Sequence, residues 1–314
     1  MTVSGEKRTL KTDTDTKNLN MKVHLDCFPC FLKQTLIAVR LGTKDEVLQS
    51  DVLKGVMDEI KATDMSQPPA HSTTFLHRKI RQLLGKDPFK EIKSEYNQIA
   101  LGLYPELKKN VEDSPDPLWT AARLAIAGNV IDFGIFTSVD IIGTVEKALH
   151  RSITVDEYKA FRNMVEKNSE ILYLLDNAGE IVFDRLLIEV LRDMGKKVKA
   201  VVKGEPVLND STMDDALEVG LNNVCEVIDN GSDCIGTMLG FTSPEFNREF
   251  KNAGLIISKG QGNFETVYIP EIISGNQHIF FLFQSKCDVV SKELGLSKGS
   301  MLLMNAKEGQ LSPL

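Results

Sequence analysis

Two residues that carry hard oxygen ligands, Asp176 and Asn177, come directly after the apolar run 171–175. The run has the length and composition of a buried strand, and the residues after Gly179 have the periodicity of a helix. Carboxylate and amide oxygens are the ligands that hard divalent cations such as Mg²⁺ and Mn²⁺ prefer. Because open α/β sheets bind ligands at the carboxyl ends of their strands, this turn is a candidate metal site.

A second acidic turn follows the next apolar run of the chain. Asp210 comes after the run 198–203, in the position that matches Asp176. Neighbouring parallel strands lie only about 4.8 Å apart, so turns at their ends can converge on one ion. We therefore expect Asp176, Asn177 and Asp210 to be the metal ligands.

A third strand end carries positive charge. Lys259 follows the apolar run 255–257, and Gly260 comes next. A glycine lets the backbone approach a ligand closely and leaves N–H groups free for oxyanions. Lys259 and Gly260 are thus candidate phosphate-binding residues, and the three strand ends together predict a metal-assisted phosphate site.

These turns also have purely structural interpretations. Residues 176–179 are an ordinary turn sequence, and residues 209–211 an ordinary helix cap. Two acidic residues follow about one turn into the next predicted helix, where Asp214 could face the site and Asp215 is expected to be solvated.

In the first half of the chain, a polar pair, Asn129 and Asp132, is embedded in an apolar segment bracketed by Gly128 and Gly134. Buried asparagine and aspartate side chains need hydrogen-bond partners. Either Gly128 ends a helix, or Asn129 and Asp132 reach across a cleft to the substrate.

The five cysteines are scattered, which does not suggest the disulfide framework of a secreted domain. Cys27 and Cys30 form the only close pair. The segment is typical of a helix start, with Pro29 in the first turn and Asp26 as the cap. A structural pair near the substrate cleft is our interpretation, and metal or redox roles stay open.

Composition limits the classes of partner. The 314 residues include 37 basic and 44 acidic side chains. The net charge of −7 does not provide the excess of positive charge that is typical of nucleic-acid-binding proteins. No apolar stretch is long enough to span a bilayer, and the first twenty residues lack the apolar core of a secretory signal. We expect a soluble, cytoplasmic protein that binds neither nucleic acid nor membrane.

Hydrophobic periodicity divides the chain into two halves. Helical patterns dominate up to residue 168, and short apolar runs alternate with amphipathic stretches after residue 169. This alternation predicts an α/β fold with a Rossmann-like, mostly parallel sheet flanked by helices. We expect a disordered tail at 1–20, a helical N-terminal domain at 21–168, and a metal- and phosphate-binding α/β domain at 169–314.

The predicted helices are 31–41, 47–60, 73–84, 88–103, 118–129 and 156–168, and the predicted strands are 171–175, 198–203, 224–228, 255–258, 279–284 and 301–304.

Six motifs together resemble the metal-dependent damage-control phosphatase family, formerly a domain of unknown function. They are Cys27-Phe28-Pro29-Cys30, Gly128-Asn129-Val130-Ile131-Asp132, Asp176-Asn177-Ala178-Gly179-Glu180, Asn209-Asp210-Ser211-Thr212 with Asp214, the segment 258–265, and Lys286-Cys287. Their order and rough spacing are similar from about residue 22 to 305. The CxxC pair points to the branch of stand-alone archaeal and bacterial members.

The resemblance implies hydrolysis of phosphate monoesters on small metabolites with a divalent cation (Mn²⁺, Co²⁺, Ni²⁺ or Mg²⁺). By motif position, Asp176, Asn177 and Asp210 would hold the metal, and Lys259 the phosphate. Asn129, Asp132 and Glu180 would line the substrate side. The oligomeric state and the metabolite are left undetermined.

Two nucleophiles are possible: a water molecule, or Asp176 itself, which would form an aspartyl-phosphate. We favour water, because the first strand lacks the DxD signature of haloacid-dehalogenase phosphatases. Two other classes of function use the same kind of cleft: a non-catalytic metal or nucleotide sensor, and a protein carboxyl methyltransferase. A methyltransferase would be expected to carry a glycine-rich loop where Asp176 and Asn177 stand, and P-loop and dinucleotide fingerprints are also lacking.

Overall fold

The computed structural model describes residues 21–130 and 151–307. The expected tail at 1–20 and the candidate Asp132 lie outside the described residues. None of the helices within the described ranges is long and apolar enough to cross a membrane.

The first part of the chain is built from helices at or near the predicted positions. They are α1 (Cys27–Gly42), α2 (Glu46–Gly55), α3 (Met57–Lys61), α4 (Pro69–Leu84), α5 (Lys90–Glu112) and α6 (Pro117–Val130). Local signals set several ends: Asp45 caps α2 with its carboxylate, and Gly85 ends α4 in the left-handed conformation. The expectation that Asp26 caps α1 is wrong, because Asp26 makes no side-chain cap bond and pairs with His24 instead.

The second part alternates strands and helices. Its elements are β1 (Val155–Asp156), α7 (Tyr158–Lys167), β2 (Glu170–Leu174), α8 (Glu180–Asp193), β3 (Lys197–Val202), α9 (Met213–Glu218), β4 (Glu226–Asp229), α10 (Pro244–Asn252), β5 (Leu255–Lys259), α11 (Gln261–Val267), α12 (Pro270–Ile273), β6 (His278–Gln284), α13 (Asp288–Glu293) and β7 (Met301–Asn305). The six predicted strands correspond to β2–β7. The short β1 lies in the segment that the sequence patterns assign to helix.

The strands form one sheet in the order β1-β7-β6-β5-β2-β3-β4. All neighbouring pairs are parallel except β6 and β7, which are antiparallel. The chain runs outward from β2 through β3 to β4, and then returns to the other side of β2 as β5. The sheet therefore has its topological switch point between β2 and β5, where doubly wound folds bind ligands.

Alternating side chains of the strands separate two cores. In β2, Ile171 and Tyr173 pack into one cluster with α5–α9, whereas Leu172 and Leu174 pack into another with α10, α11 and α13. A third cluster joins α1–α4. Helices thus cover both faces of the sheet, as predicted.

Helices α6 and α8 pack closely through a glycine. A Cβ at Gly128 would lie 2.9 Å from Cβ of Phe183. Gly128 does not end its helix, because α6 continues to Val130. The close approach brings Asn129 to the start of α8.

Candidate active site

The turn after β2 forms a hydrogen-bonded elbow that carries two carboxylates. The amide Nδ2 of Asn177 donates to Asp176 Oδ2 at 2.9 Å and to Glu180 Oε2 at 3.0 Å. Glu180 opens α8, and Gly179 precedes it with φ +77°, which favours glycine. The elbow holds both carboxylates, and the side-chain Oδ1 of Asn177 accepts no hydrogen bond from any described residue.

Asp210 lies beside this elbow, although seven residues (203–209) separate it from the end of β3. Asn177 and Asp210 form an isolated antiparallel bridge. The N–H of Ser211 donates to the Asp176 carbonyl at 2.7 Å, and that of Ala178 donates to the Asn209 carbonyl at 2.8 Å. The structure therefore brings together the three residues predicted to bind metal.

Gly260 lies at the switch point, directly after β5 and next to Asp176. A Cβ at this position would lie 1.9 Å from Asp176 Oδ2, and φ is +79°. Asn263 ties the two strand ends together, since its Nδ2 donates to the carbonyls of Leu175 at 3.0 Å and Lys259 at 2.8 Å. Only glycine fits where the β5 backbone faces the Asp176 carboxylate.

Negative charge accumulates at this point. Burial, together with Glu180 and Asp210 nearby, raises the pKa of Asp176 well above its usual range. Burial also raises the pKa of Asp210, against the opposing effect of Lys203. A cation bound between these carboxylates would lower the pKa of Asp176 and of Asp210, because an opposite charge favours the ionised form.

Lys259 is directed away from the cleft. It is 0% exposed, and its Nζ donates to Ala125 O at 2.8 Å, Glu180 Oε1 at 2.6 Å and Asp184 Oδ1 at 2.7 Å. An ammonium group has three donors, so none is left for a phosphate. The expected direct contact of Lys259 with phosphate does not agree with this arrangement.

Lys259 instead sets the charge of its two acidic neighbours. Burial favours the neutral form of Glu180, but Lys259 and Lys286 lower its pKa below the ordinary value. Burial raises the pKa of Asp184 to about 7, even though Lys259 opposes the shift. One lysine thus balances one carboxylate, and Glu180 is the ionised partner.

Asn129 reaches the site from the helical part of the chain. Its Nδ2 donates to Asp176 Oδ2 at 3.0 Å and to Glu180 Oε2 at 2.8 Å, and its Oδ1 accepts from Gln284 N at 3.1 Å. The side chain is 1% exposed. Asn129 therefore donates to the same two carboxylate oxygens as Asn177 does, and Asp132 lies outside the described residues.

Sequence reasoning assigned no role to two lysines near the carboxylates. Lys203 is buried, and its Nζ lies 3.4 Å from Asp210 Oδ2 and also contacts Gly236 O. Lys286 is half-buried within electrostatic reach of Asp176 and Glu180. Its backbone N–H is fixed by Gln261 Oε1 at 2.8 Å, and its ammonium pairs with no residue in the described ranges. The sequence signal that could have identified Lys286 is its position after β6, the strand next to β5.

The donor set fits a hard cation. Asp210 Oδ2 is buried and accepts no hydrogen bond from the described residues, although the ammonium of Lys203 lies 3.4 Å from it. No group of three or more His, Cys, Asp or Glu side chains in residues 21–130 and 151–307 is arranged to hold a metal alone. Two carboxylates and one amide would leave room for water or substrate oxygens, as Mg²⁺ sites usually do.

The two acidic residues on α9 have exchanged their expected places. Asp214 is exposed, whereas Asp215 is 4% exposed and lies 2.6 Å from Lys93 Nζ. Asp215 also completes a capping box with Thr212. The expectation failed because Asp215 pairs with Lys93 on another helix, and that contact depends on how α5 and α9 pack.

The CxxC pair lies near a third thiol. Cys27 is buried at the start of α1, and Cys30 is exposed. Burial raises the pKa of the Cys27 thiol, with a further contribution from Cys287. The interpretation of this segment as a helix start agrees with the structure.

A surface cavity of about 340 Å³ lies at the opposite end of the sheet, lined by residues from the amino ends of β2, β3 and β4. It contains none of the candidate site residues described above. Its charged rim includes Glu170, Lys197 and Glu226, which are exposed. The convergence of buried polar groups, not cavity size, identifies the candidate site.

The chain is similar to known proteins along most of its length. A family model described as the damage-control phosphatase ARMT1-like domain matches residues 23–302. A damage-control phosphatase of Pyrococcus horikoshii is 33% identical over 291 residues, covering 91% of this chain and 99% of that protein. One from Archaeoglobus fulgidus is 30% identical over 293 residues, covering 90% and 98%. An uncharacterised protein of Methanocaldococcus jannaschii is 36% identical over 294 residues, covering 91% and 96%.

A solved structure is similar throughout. The crystal structure of a DUF89 family protein from Pyrococcus horikoshii superimposes with a TM-score of 0.84 at 33% identity, covering 91% of this chain and all of that one. Fold and sequence thus agree along most of the chain. The protein belongs to the damage-control phosphatase ARMT1-like domain family.

Proposed function

We propose that the protein is a divalent-metal-dependent phosphatase that hydrolyses phosphate monoesters of small metabolites. The observation that carries the proposal is the meeting of Asp176, Asn177 and Asp210 at the switch point of the sheet. The names of the relatives support a phosphatase. The net charge and the enclosed position of the carboxylates favour a small substrate over a polymer.

Three residues would hold the cation: Asp176 and Asp210 through carboxylate oxygens, and Asn177 through its amide oxygen. When bound, a divalent ion such as Mn²⁺, Co²⁺, Ni²⁺ or Mg²⁺ supplies neutralisation of charge on the phosphoryl oxygens. Asn129 and the Asn177 amide orient Asp176 and Glu180 by donating to one oxygen of each. The protein itself mainly positions the reacting groups, as phosphoryl transfer requires.

Lys286 is the better candidate for the phosphate contact that was expected of Lys259. Lys286 is half-buried, and its charge lowers the pKa of Asp176 and of Glu180 against the effect of burial. Lys259 acts one layer deeper, where it keeps Glu180 ionised. Glu180 and Gly260 then line the substrate side, Glu180 with its carboxylate and Gly260 with backbone that has no side chain to block the approach.

The same cleft is compatible with a non-catalytic metal or nucleotide sensor, and family membership does not by itself separate the two. A protein carboxyl methyltransferase is the other alternative. A sensor would bind metal but release no phosphate from any ester. A methyltransferase would move a labelled methyl group to a protein acceptor, and Asp176→Ala would abolish that transfer.

Phosphate release tests the proposal directly. We expect the purified protein with Mn²⁺, Co²⁺, Ni²⁺ or Mg²⁺ to release phosphate from members of a panel of sugar phosphates and nucleotides. Asp210→Asn should lower kcat/KM by at least about 100-fold, because it removes the negative charge of a proposed ligand rather than changing an outer partner. Asp214→Asn is the matched control, since it changes an exposed carboxylate on the adjacent helix. Metal binding without phosphate release would contradict the proposal.

A further inference from the structure

One buried amide of the helical region contacts both the elbow that carries two of the proposed metal ligands and the helix that follows the third. Asn97, in the middle of α5, is 0% exposed. Its Oδ1 accepts from the N–H of Gly179 at 2.7 Å, in the elbow that follows Asp176 and Asn177. Its Nδ2 donates to Asp215 Oδ1 at 3.0 Å and to Glu218 Oε2 at 2.8 Å, both on α9. Its two N–H donors and its acceptor oxygen are all in use.

The contact with Gly179 provides a partner that the elbow lacks. Gly179 is the residue before α8, with φ +77° and ψ −51°, and it has no side chain to cap the helix. The first N–H groups of a helix have no partners within that helix, and an orphan buried donor costs about 1–3 kcal/mol. Asn97 satisfies this N–H and so fixes the conformation that aims Asn177 and Glu180.

The contact with Asp215 reaches the second ligand loop. Asp215 Oδ2 accepts from the N–H of Thr212 at 2.8 Å and from its Oγ1 at 2.7 Å. Thr212 lies two residues after Asp210. Lys93, one turn before Asn97 on α5, lies 2.6 Å from the same Asp215 oxygen and neutralises it. A continuous chain of hydrogen bonds thus runs from Gly179 through Asn97 and Asp215 to the turn that carries Asp210.

We propose that Asn97 is a positioning residue that sets the spacing between the Asp176–Asn177 elbow and Asp210, and thereby the affinity of the metal site. The inference rests on the proposed function, because it concerns the same three ligands. It assigns to the helical region a second task beside that of Asn129: α5 clamps the two ligand loops from outside the cleft. Outer partners of metal ligands typically change affinity by 10–100-fold.

A matched control is present on the same pair of helices. Gln98 Nε2 donates to Glu218 Oε1 at 2.8 Å, and the Ser94 hydroxyl donates to the same oxygen at 2.7 Å. Both contacts join α5 to α9 at the surface, and neither touches the elbow. Gln98→Ala therefore removes a link between these helices without removing a partner of Gly179.

The test compares Mn²⁺ affinity by isothermal titration calorimetry, and folding by denaturant unfolding in EDTA, for the wild type, Asn97→Leu and Gln98→Ala. We expect Asn97→Leu to weaken Mn²⁺ binding by about 10–100-fold while Gln98→Ala stays within about twofold. The apparent KM for Mn²⁺ in phosphate release should rise by a similar factor, with a smaller change in kcat at saturating metal. Asn97→Ala gives the same comparison if the leucine does not fold.

Two results would overturn the inference, and they can be told apart. A folded Asn97 variant with unchanged Mn²⁺ affinity removes the positioning role and leaves the proposed function intact. A wild-type protein that binds no Mn²⁺, Co²⁺, Ni²⁺ or Mg²⁺ removes both together.

Discussion

At the scale of single residues, Lys259 shows why a side chain's role depends on the direction in which it points. The sequence places it at a strand end beside Gly260, where a phosphate contact is the natural expectation. In a strand buried on both faces, however, no alternation of polar residues reveals which face a lysine takes. Lys259 turns into the layer between α6 and α8, where Glu180 and Asp184 bind it.

The buried carboxylate of Glu265 makes the stability of the protein depend on pH. Glu265 on α11 accepts hydrogen bonds from Ala70 N and Gln261, and burial raises its pKa from 4.5 to about 7. The folded protein then holds this proton more tightly than the unfolded chain does. Its contribution to stability is complete below about pH 4.5 and is lost as the pH rises through about 7.

Glu265→Gln should remove this pH dependence, since an amide of similar shape does not titrate. We expect the free energy of unfolding of the variant, relative to wild type, to increase by up to about 3 kcal/mol between pH 4.5 and pH 8. Urea unfolding at several pH values measures it. Glu271→Gln, at an exposed carboxylate on α12, is the control. A difference between Glu265→Gln and wild type that does not vary with pH would refute the expectation.

At the scale of elements, the sequence predicted most of the fold because each signal was local. Apolar runs bounded by turns predicted β2–β7, and helical periodicity predicted the major helices. The two-residue β1 could not be found this way, since its pairing with β7 depends on residues far along the chain. The same limit explains Asp215, whose partner Lys93 lies on another helix.

Packing between α6 and α8 gives a test at this scale. Gly128→Ala should destabilise the protein by about 1–3 kcal/mol, because the new Cβ would lie 2.9 Å from Phe183 in a filled core. Gly102→Ala, in α5 with no atom within 4 Å of the new Cβ, should stabilise it by about 0.5–1 kcal/mol. Denaturant unfolding compares them. Equal effects of the two substitutions would show that the close helix contact is not a constraint.

At the scale of the whole molecule, the site exists because distant segments meet at one edge of the sheet. The order in which β2, β3 and β5 lie side by side brings Asp176, Asp210 and Gly260 together. The helical part adds Asn129 and Asn97 from outside the sheet. The site residues at strand ends could be predicted from sequence, since the carboxyl ends of parallel strands lie at the same edge of the sheet. The outer contacts could not, because they depend on how helices pack.

The most direct test is a crystal structure with Mn²⁺ and inorganic phosphate, using the anomalous signal to locate the metal. We expect one ion bonded to oxygens of Asp176, Asn177 and Asp210, with phosphate beside it contacting Lys286 and not Lys259. Density for the ion away from these three residues, in crystals where Mn²⁺ is bound, would contradict the assignment of the site.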